Sequence, residues 1–224
     1  MMDRARELAN LVARGARAYL GGTDRDPRVM AAMAAEDRAD YLPPDGRQFA
    51  GLDEAAPIGS GQTCSQPSMV AFMLDILDLG PGMRVLEVGA GSGWAAAIAA
   101  RLVAPDGLVV ACELEPELAR GLSDRFAGRT DVRVVAGDGS EGLPGEGPWD
   151  RMLFSAGARR VGGGGKPGFD PSVVTKTLRP GGVLVFPEAS GSLIRIRLDP
   201  DAPDGRLVES WYGVRFVPLR GKNS

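Results

Sequence analysis

The chain has 224 residues, a formal net charge of −3, two cysteines and no histidine. This length favours one domain with a sizeable core, and the missing histidine excludes Ser-His-Asp and Cys-His catalysis and imidazole zinc sites. Two cysteines cannot form a four-cysteine zinc site or a disulfide framework. The slight acidic excess argues against binding a nucleic-acid backbone. No metal and no nucleic acid are therefore expected.

No run approaches 18 apolar residues, so no membrane span and no membrane partner are expected. The opening MMDRARELANLVARG is amphipathic and mixed in charge, unlike a secretory signal. These features predict a cytoplasmic protein, and we expect a monomer. Its 32 glycines are about twice average usage.

The first predicted elements are helical. Apolar residues at helical spacing predict a helix from Arg4 to Leu20, and Asp26 before Pro27 predicts the start of another. An irregular stretch follows over residues 40–52. Residues 1–56 are therefore predicted to form an N-terminal helical cap, and residues 57–224 the core of one compact domain.

From Gly82 onward, short apolar runs alternate with helical stretches. The predicted strands are Arg84–Val88, Leu108–Cys112, Val132–Ala136, Trp149–Ser155 and Val183–Pro187, and the predicted helices are Trp94–Val103, Pro116–Phe126 and Pro171–Leu178. This alternation is typical of an α/β fold, a mostly parallel sheet with helices on both faces. At the end, Ser192–Leu198 and Trp211–Leu219 flank a turn and predict an antiparallel hairpin.

The segment VLEVGAGSGW places three glycines between a strand and a helix. Gly89, Gly91 and Gly93 permit close approach of a ligand, and Glu113 ends the next strand, where a carboxylate can accept hydrogen bonds from ribose hydroxyls. The G-x-G-x-G spacing differs from that of dinucleotide binders, and Glu87 before the loop suits a cationic ligand. The segment resembles class I methyltransferases, Rossmann-like proteins that bind S-adenosylmethionine. Gly137-Asp138-Gly139 resembles the position where that family places an acid against the adenine amino group.

The segment PIGSGQTCSQPSMV, residues 57–70, has two interpretations. Ser65 is placed to cap a helix that begins at Gln66, with Pro67 in the first turn. The same stretch also resembles the I-G-x-G-Q-T-I-S-Q-P signature of protein-L-isoaspartate (D-aspartate) O-methyltransferases. The glycine loop, Glu113, LRPGGVLVFP and the closing VRFVPL follow in that family's order, and DPRVMAAMAAEDRADYLP resembles its opening.

The resemblance implies a Rossmann-like class I methyltransferase sandwich with S-adenosylmethionine as cofactor. It implies Ser65 as the active-site residue that contacts both cofactor and acceptor carboxylate, and Val217 and Leu219 near the acceptor. The implied cofactor-binding residues are Thr63, Cys64, Ser65, Glu87, Gly89, Ala90, Gly91, Gly93, Glu113, Leu114, Asp138 and Gly139.

The implied reaction is methylation of the abnormal carboxylate of an L-isoaspartyl residue, and by the family's name also of a D-aspartyl residue, in damaged proteins or peptides. The ester cyclises to a succinimide, which reopens partly to normal aspartate. A carboxylate is ionised at pH 7 and needs no general base, which agrees with a chain without histidine. Ser65 then orients the carboxylate and is not a covalent nucleophile.

The sequence departs from the family at Cys64, at Ser68, at Pro187-Glu188-Ala189 and at the linker that contains Gly162–Gly165. The glycine run is either a flexible insertion or a lid over the peptide, with Arg159, Arg160 and Lys166 beside it. Three alternatives stay open: esterification of one Asp in a dedicated peptide, methylation of RNA or a small molecule, and a cofactor-binding module without catalysis.

Overall fold

A computed structural model describes residues 2–15, 26–158 and 169–221. The helices are α1 (Met2–Gly15), α2 (Pro27–Ala34), α3 (Pro67–Leu77), α4 (Trp94–Val103), α5 (Pro116–Arg125) and α6 (Pro171–Thr175), with 3₁₀ turns at Arg38–Tyr41 and Arg47–Phe49. The strands are β1 (Ala56–Gly59), β2 (Gln62–Cys64), β3 (Arg84–Val88), β4 (Leu108–Glu113), β5 (Val132–Ala136), β6 (Trp149–Phe154), β7 (Leu178–Pro187), β8 (Ser192–Leu198) and β9 (Arg206–Tyr212). None of the described helices is long and apolar enough to cross a membrane.

Seven strands form one sheet in the order β5-β4-β3-β6-β7-β8-β9. The pairs from β5 to β7 are parallel, and β8 and β9 are antiparallel. Successive residues of β3 enter different apolar clusters: Val85 packs in the cluster of α1 to α5, and Leu86 in the cluster that contains Phe169 and Val174. The α/β fold with a mostly parallel sheet and helices on both faces is confirmed, as is a closing antiparallel hairpin.

The N-terminal helices pack onto α3 and α4. Leu8, Val12 and Met33 are buried in the same apolar cluster as residues of α3 and α4. Asp26 caps α2 as predicted, because its side chain accepts a hydrogen bond from the Arg28 amide at 2.8 Å. The predicted first helix extends to Leu20, and residues 16–25 lie outside the described range.

Three predicted boundaries near the C-terminus are wrong. The helix at Pro171 ends at Thr175, and β7 begins at Leu178 because that residue pairs with Trp149. The last strand is Arg206–Tyr212 and not Trp211–Leu219, since the tight turn that ends at Gly205 brings Arg206 directly opposite Leu198.

The β1–β2 hairpin was not predicted from the sequence. Ala56 pairs with Cys64 and Pro57 with Thr63, and the turn between them contains three residues with positive φ, 59–61. This small hairpin lies beside the carboxyl ends of the parallel strands, where open α/β sheets bind their ligands.

Candidate active site

The glycine loop joins β3 to α4 and is fixed by main-chain hydrogen bonds. The amides of Gly89 and Ala90 donate to the Cys112 carbonyl at 2.9 and 3.1 Å, and the Gly93 amide donates to the Ala90 carbonyl. All three loop glycines have positive φ, a conformation that other residues rarely adopt. The loop therefore turns tightly at the end of β3 and leaves a cavity beside it.

Glu113 at the end of β4 is tied to this loop. Its Oε2 accepts a hydrogen bond from the Gly91 amide at 2.8 Å and its Oε1 accepts from the Glu115 amide at 2.9 Å. The residue is 7% exposed. Each carboxylate oxygen has a second lone pair, so Glu113 can still accept hydrogen bonds from a ligand.

Glu87 is the second buried carboxyl group of the site and is only 2% exposed. Its Oε1 accepts a hydrogen bond from the Ser155 hydroxyl at 2.8 Å, whereas Oε2 has no hydrogen-bond partner in the described part of the chain. The pKa of Glu87 is raised to about 8, chiefly by burial; the Ser155 hydrogen bond opposes the rise, and repulsion from Glu113 contributes to it. A buried acid with one unsatisfied oxygen favours a cationic ligand group beside it.

Two cavities adjoin the loop. The first, the Glu113 cavity, has walls from the hairpin, the loop and the C-terminal segment; its predicted members are Thr63, Gly89, Gly91, Glu113, Leu114, Gly139, Val217 and Leu219. The second, the Glu87 cavity, contains Thr63, Cys64, Ser65, Glu87, Gly89, Ala90 and Gly91. Thr63, Gly89, Gly91 and Ser155 line both, so the two cavities are neighbours.

A third depression, the outer groove, lies between the start of α3 and the C-terminal segment. It is lined by Ala55, Thr63, Ser65, Gln66, Met69 and residues 213–218. Ser65 and Thr63 line both this groove and the Glu87 cavity. Half-buried Ser65 thus lies where the small Glu87 cavity meets the larger outer groove.

The predicted capping role of Ser65 is wrong. Helix α3 begins at Pro67 with Gln66 as N-cap, and no N-cap side chain bonds the helix. Asp53 replaces it: its Oδ1 accepts from the Ser68 amide at 2.7 Å and its Oδ2 from the Gln66 side-chain amide at 3.2 Å. Asp53 thus caps the helix in place of Ser65. The hydroxyl of Ser65 makes no hydrogen bond within the described residues.

Three predicted site residues do not line the cavity in which they were expected. Gly93 lines none of the three cavities and packs instead against Leu122 of α5 and Phe126, the residue that follows α5. The Asp138 carboxylate accepts a hydrogen bond from the Ser140 amide at 2.9 Å and lies against Gly221, while its neighbour Gly139 lines the Glu113 cavity. Leu219 is buried and lines the Glu113 cavity alone, not the outer groove.

Ser155 was not predicted as a site residue, although it follows β6 and lines both the Glu113 cavity and the Glu87 cavity. Its position just past a parallel strand next to β3 was a usable signal, because ligands bind outside the carboxyl ends of such strands. The segment with Gly162–Gly165, Arg159, Arg160 and Lys166 lies outside the described residues. Within the described residues, no cluster of three or more Cys, Asp or Glu side chains could hold a metal ion.

The donor set fits S-adenosylmethionine. The unsatisfied Oε2 of Glu87 can accept from the cationic amino-acid end, and Glu113 can accept from the ribose hydroxyls of the nucleoside end. The two carboxyl groups lie in adjoining cavities, as the two ends of one elongated ligand require.

Comparison with known proteins gives a consistent result. The family model of protein-L-isoaspartate(D-aspartate) O-methyltransferase matches residues 18–224. The chain is 41% identical over 210 residues to a protein-L-isoaspartate O-methyltransferase of Methanopyrus kandleri, covering 90% of this chain and 87% of the relative. It is 38% identical over 224 residues to that of Ignicoccus hospitalis, covering 98% of each.

A solved structure of a protein-L-isoaspartate O-methyltransferase superposes over 100% of this chain and 67% of that one, with a TM-score of 0.78 at 22% identity. This likeness shows the shared fold. The match of the family model and the relatives over most of the chain shows the family. The chain belongs to the protein-L-isoaspartate(D-aspartate) O-methyltransferase family.

Proposed function

We propose that this protein transfers a methyl group from S-adenosylmethionine to the free carboxylate of L-isoaspartyl, and of D-aspartyl, residues in damaged proteins or peptides. The ester then cyclises to a succinimide, which starts repair. The observation that carries the proposal is the place of Ser65, which lines both the small Glu87 cavity and the larger outer groove. A donor in the cavity and a peptide in the groove would meet at this residue.

When bound, S-adenosylmethionine supplies a methyl group on a positively charged sulfur. Glu87 would hold the amino-acid end, Glu113 the ribose, and Gly139 with the Asp138 turn the adenine. Thr63, Cys64, Leu114 and the loop residues Gly89, Ala90 and Gly91 would complete the walls. Gly93 would act through the packing of α5 and not by contact.

The residues of the site would work by alignment and charge. The acceptor carboxylate arrives ionised, so no side chain has to remove a proton. The Ser65 hydroxyl, free of other partners within the described residues, can donate one hydrogen bond to that carboxylate and fix its direction. Positioning of two reactants can lower a barrier by roughly 7–11 kcal/mol.

The outer groove suits a peptide. It contains the polar side chains of Gln66 and Arg215 beside the apolar Met69 and Phe216, and Val217 also lines it. The exposed Arg215 guanidinium is an available partner for the substrate's second carboxyl or carbonyl group. Leu219, which was expected here, supports the Glu113 cavity instead.

General repair is favoured over a dedicated Asp-containing peptide, because the relatives that match most of the chain are named protein-L-isoaspartate O-methyltransferases. We further propose a cytoplasmic monomer without a nucleic-acid partner, with residues 1–56 as a cap on a core of residues 57–224. The free buried cysteines, Cys64 and Cys112, support a reducing compartment, and the net charge of −3 supports the absence of a nucleic-acid partner.

The decisive experiment offers the protein two peptides of one sequence, one with L-isoaspartate and one with L-aspartate, together with radiolabelled S-adenosylmethionine. Base-labile label should appear on the isoaspartyl peptide at least about 100-fold faster, since the isomers place the carboxylate one bond apart. Equal labelling, or labelling of the aspartyl peptide alone, would refute the repair function.

A further inference from the structure

Arg38 is fully buried, at 0% exposure, and no carboxylate lies within ion-pair distance of it in the described part of the chain. A buried charge without a counter-ion is costly unless many dipoles solvate it. Here its guanidinium also lies over the Trp94 ring, with 5.4 Å from Cζ to the ring centroid. The free-energy cost of burying this charge indicates a role for Arg38 beyond packing.

The guanidinium donates to five main-chain carbonyl groups on two segments. In the cap it contacts the carbonyls of Phe49 at 2.9 Å, Leu52 at 3.1 Å and Glu54 at 2.7 Å. In the signature segment it contacts those of Cys64 at 3.3 Å and Ser65 at 3.1 Å. Arg38 therefore connects the cap to the peptide units on both sides of the Ser65 side chain.

Asp53 completes the connection. It lies between Leu52 and Glu54, whose carbonyls Arg38 holds, and its carboxylate binds the Ser68 amide and the Gln66 side chain. Residues 65 to 68 are thus held at two points. The Arg38 guanidinium donates to the Ser65 carbonyl, and the Asp53 carboxylate accepts from the Ser68 amide in the first turn of α3.

We propose that Arg38 and Asp53 are positioning residues that fix the Ser65 hydroxyl at the junction of the Glu87 cavity and the outer groove. Neither side chain lines either cavity, so both act through the backbone. The inference deepens the proposed function and rests on it for the role of Ser65. A displacement of about 1 Å at a reacting group can cost about 100-fold in rate.

The first readout needs no acceptor. Hydrogen–deuterium exchange, followed by mass spectrometry with S-adenosylhomocysteine bound, compares the wild type with Arg38→Lys, Asp53→Ala and Asp53→Asn. Lysine offers three donors and no planar fork, so it cannot reach all five carbonyls. Exchange in peptides covering residues 60–70 should rise about tenfold in Arg38→Lys and Asp53→Ala, with residues 108–116 unchanged. Unchanged exchange in residues 60–70 overturns the proposal, whatever the protein methylates.

The second readout is kinetic and uses the isoaspartyl peptide. Arg38→Lys and Asp53→Ala should lose about 10- to 100-fold in kcat and no more than Ser65→Ala loses, with the Kd for S-adenosylmethionine within about threefold of wild type. Asp53→Asn should recover most of the loss, because its amide oxygen can accept from the Ser68 amide while the Gln66 side chain rotates to match. Equal losses in Asp53→Asn and Asp53→Ala, or cofactor affinity that falls together with kcat, would overturn it.

Arg151→Lys is the matched control. Arg151 is also largely buried and also donates to main-chain carbonyls, those of Asp78 at 3.0 Å and Asp150 at 2.9 Å. It lies near the start of β6, at the amino ends of the parallel strands, whereas the site lies at their carboxyl ends. Its variant should lose stability without a change of more than about twofold in kcat. A loss of kcat as large as that of Arg38→Lys would show general destabilisation and refute positioning.

If Arg38→Lys does not fold, the two Asp53 variants decide between positioning and a merely structural role. If wild type leaves the isoaspartyl peptide unmodified, the proposed function fails and the exchange data still test the positioning.

Discussion

The Ser155 hydroxyl donates to Oε1 of Glu87 at 2.8 Å, and this is the only hydrogen bond of the Glu87 carboxyl group within the described residues. Ser155 follows β6 and Glu87 lies in β3, so the contact joins two neighbouring parallel strands at their carboxyl ends. The pair leaves Oε2 buried and unsatisfied at the wall of the Glu87 cavity. A buried oxygen without a hydrogen-bond partner is tolerated where a bound ligand supplies that partner.

The protein without cofactor should lose stability as the pH rises. The pKa of Glu87 is raised from 4.5 to about 8 by burial, so between these values the folded chain keeps a proton that the unfolded chain has lost. The free energy of unfolding should therefore fall by at most about 1.4 kcal/mol per pH unit from this group, and level off above pH 8. Urea denaturation from pH 5.5 to 9 measures the slope.

Glu87→Gln is the control for that slope, since glutamine can still accept from Ser155 and does not titrate. Asp26, Asp131 and Glu146 have lowered pKa values and complete their titration below this window. The free energy of unfolding of Glu87→Gln should vary less with pH than that of wild type, and the variant should be more stable than wild type at pH 8. Parallel curves for the two proteins would show that Glu87 is already ionised in the folded chain.

Cofactor binding should release a proton from Glu87. At pH 7 the buried acid is mostly protonated, and a cationic group beside Oε2 favours the ionised form. Calorimetry of S-adenosylmethionine binding in buffers of different ionisation enthalpy counts the protons. The wild type should release close to one proton more than Glu87→Gln, whose affinity should also be lower. Identical proton counts in the two proteins would contradict a direct contact between Glu87 and the cationic end.

Ser65→Ala should lower kcat and leave cofactor binding largely intact. A hydrogen bond to a charged group contributes about 1.5–3 kcal/mol, so the loss should be about 10- to 100-fold. Ser60→Ala is the control, because Ser60 lies in the turn of the same β1–β2 hairpin and lines none of the three cavities. Steady-state kinetics with the isoaspartyl peptide and calorimetry with the cofactor separate the two effects. A Ser65→Ala enzyme with wild-type kcat would remove Ser65 from the reaction.

The sequence predicts the parallel sheet well because its strands are apolar runs whose pattern changes at each helix. β3 and β5 begin and end at the predicted residues. The β1–β2 hairpin was not predicted because its strands have only four and three residues, too few for a clear periodic pattern on either side of Gly-Ser-Gly. The start of β7 depends on the pairing of Leu178 with Trp149, a contact that no local pattern encodes.

At the candidate site, too, local patterns predict some residues, whereas contacts between distant residues determine the others. Glu87 and Glu113 were predictable because parallel strands bring their carboxyl ends to one edge. The contacts of Arg38 were not, because its partners are main-chain carbonyls 11 to 27 residues away, and every residue type has a carbonyl. Asp53 was hidden for a related reason, since it caps α3 from a distant loop and leaves the nearby Ser65 free.

Gly93→Ala should destabilise the fold more than an ordinary glycine substitution. Gly93 has a φ of +85°, and a Cβ there would lie 2.6 Å from Leu122 Cδ1 and 2.7 Å from Phe126 Cε2, so α5 has to move. We expect a loss of about 2–4 kcal/mol in the free energy of unfolding.

Gly128→Ala is the matched control for Gly93→Ala, because Gly128 has a φ of +81° and nothing lies within 4 Å of a Cβ placed there. It should lose only about 1 kcal/mol, the conformational part alone. Urea denaturation gives both values, and calorimetry on the folded proteins should find cofactor affinities within about threefold of wild type. Equal losses of stability would mean that α5 adjusts freely, and a selective loss of cofactor affinity in Gly93→Ala would return Gly93 to the residues that contact the cofactor.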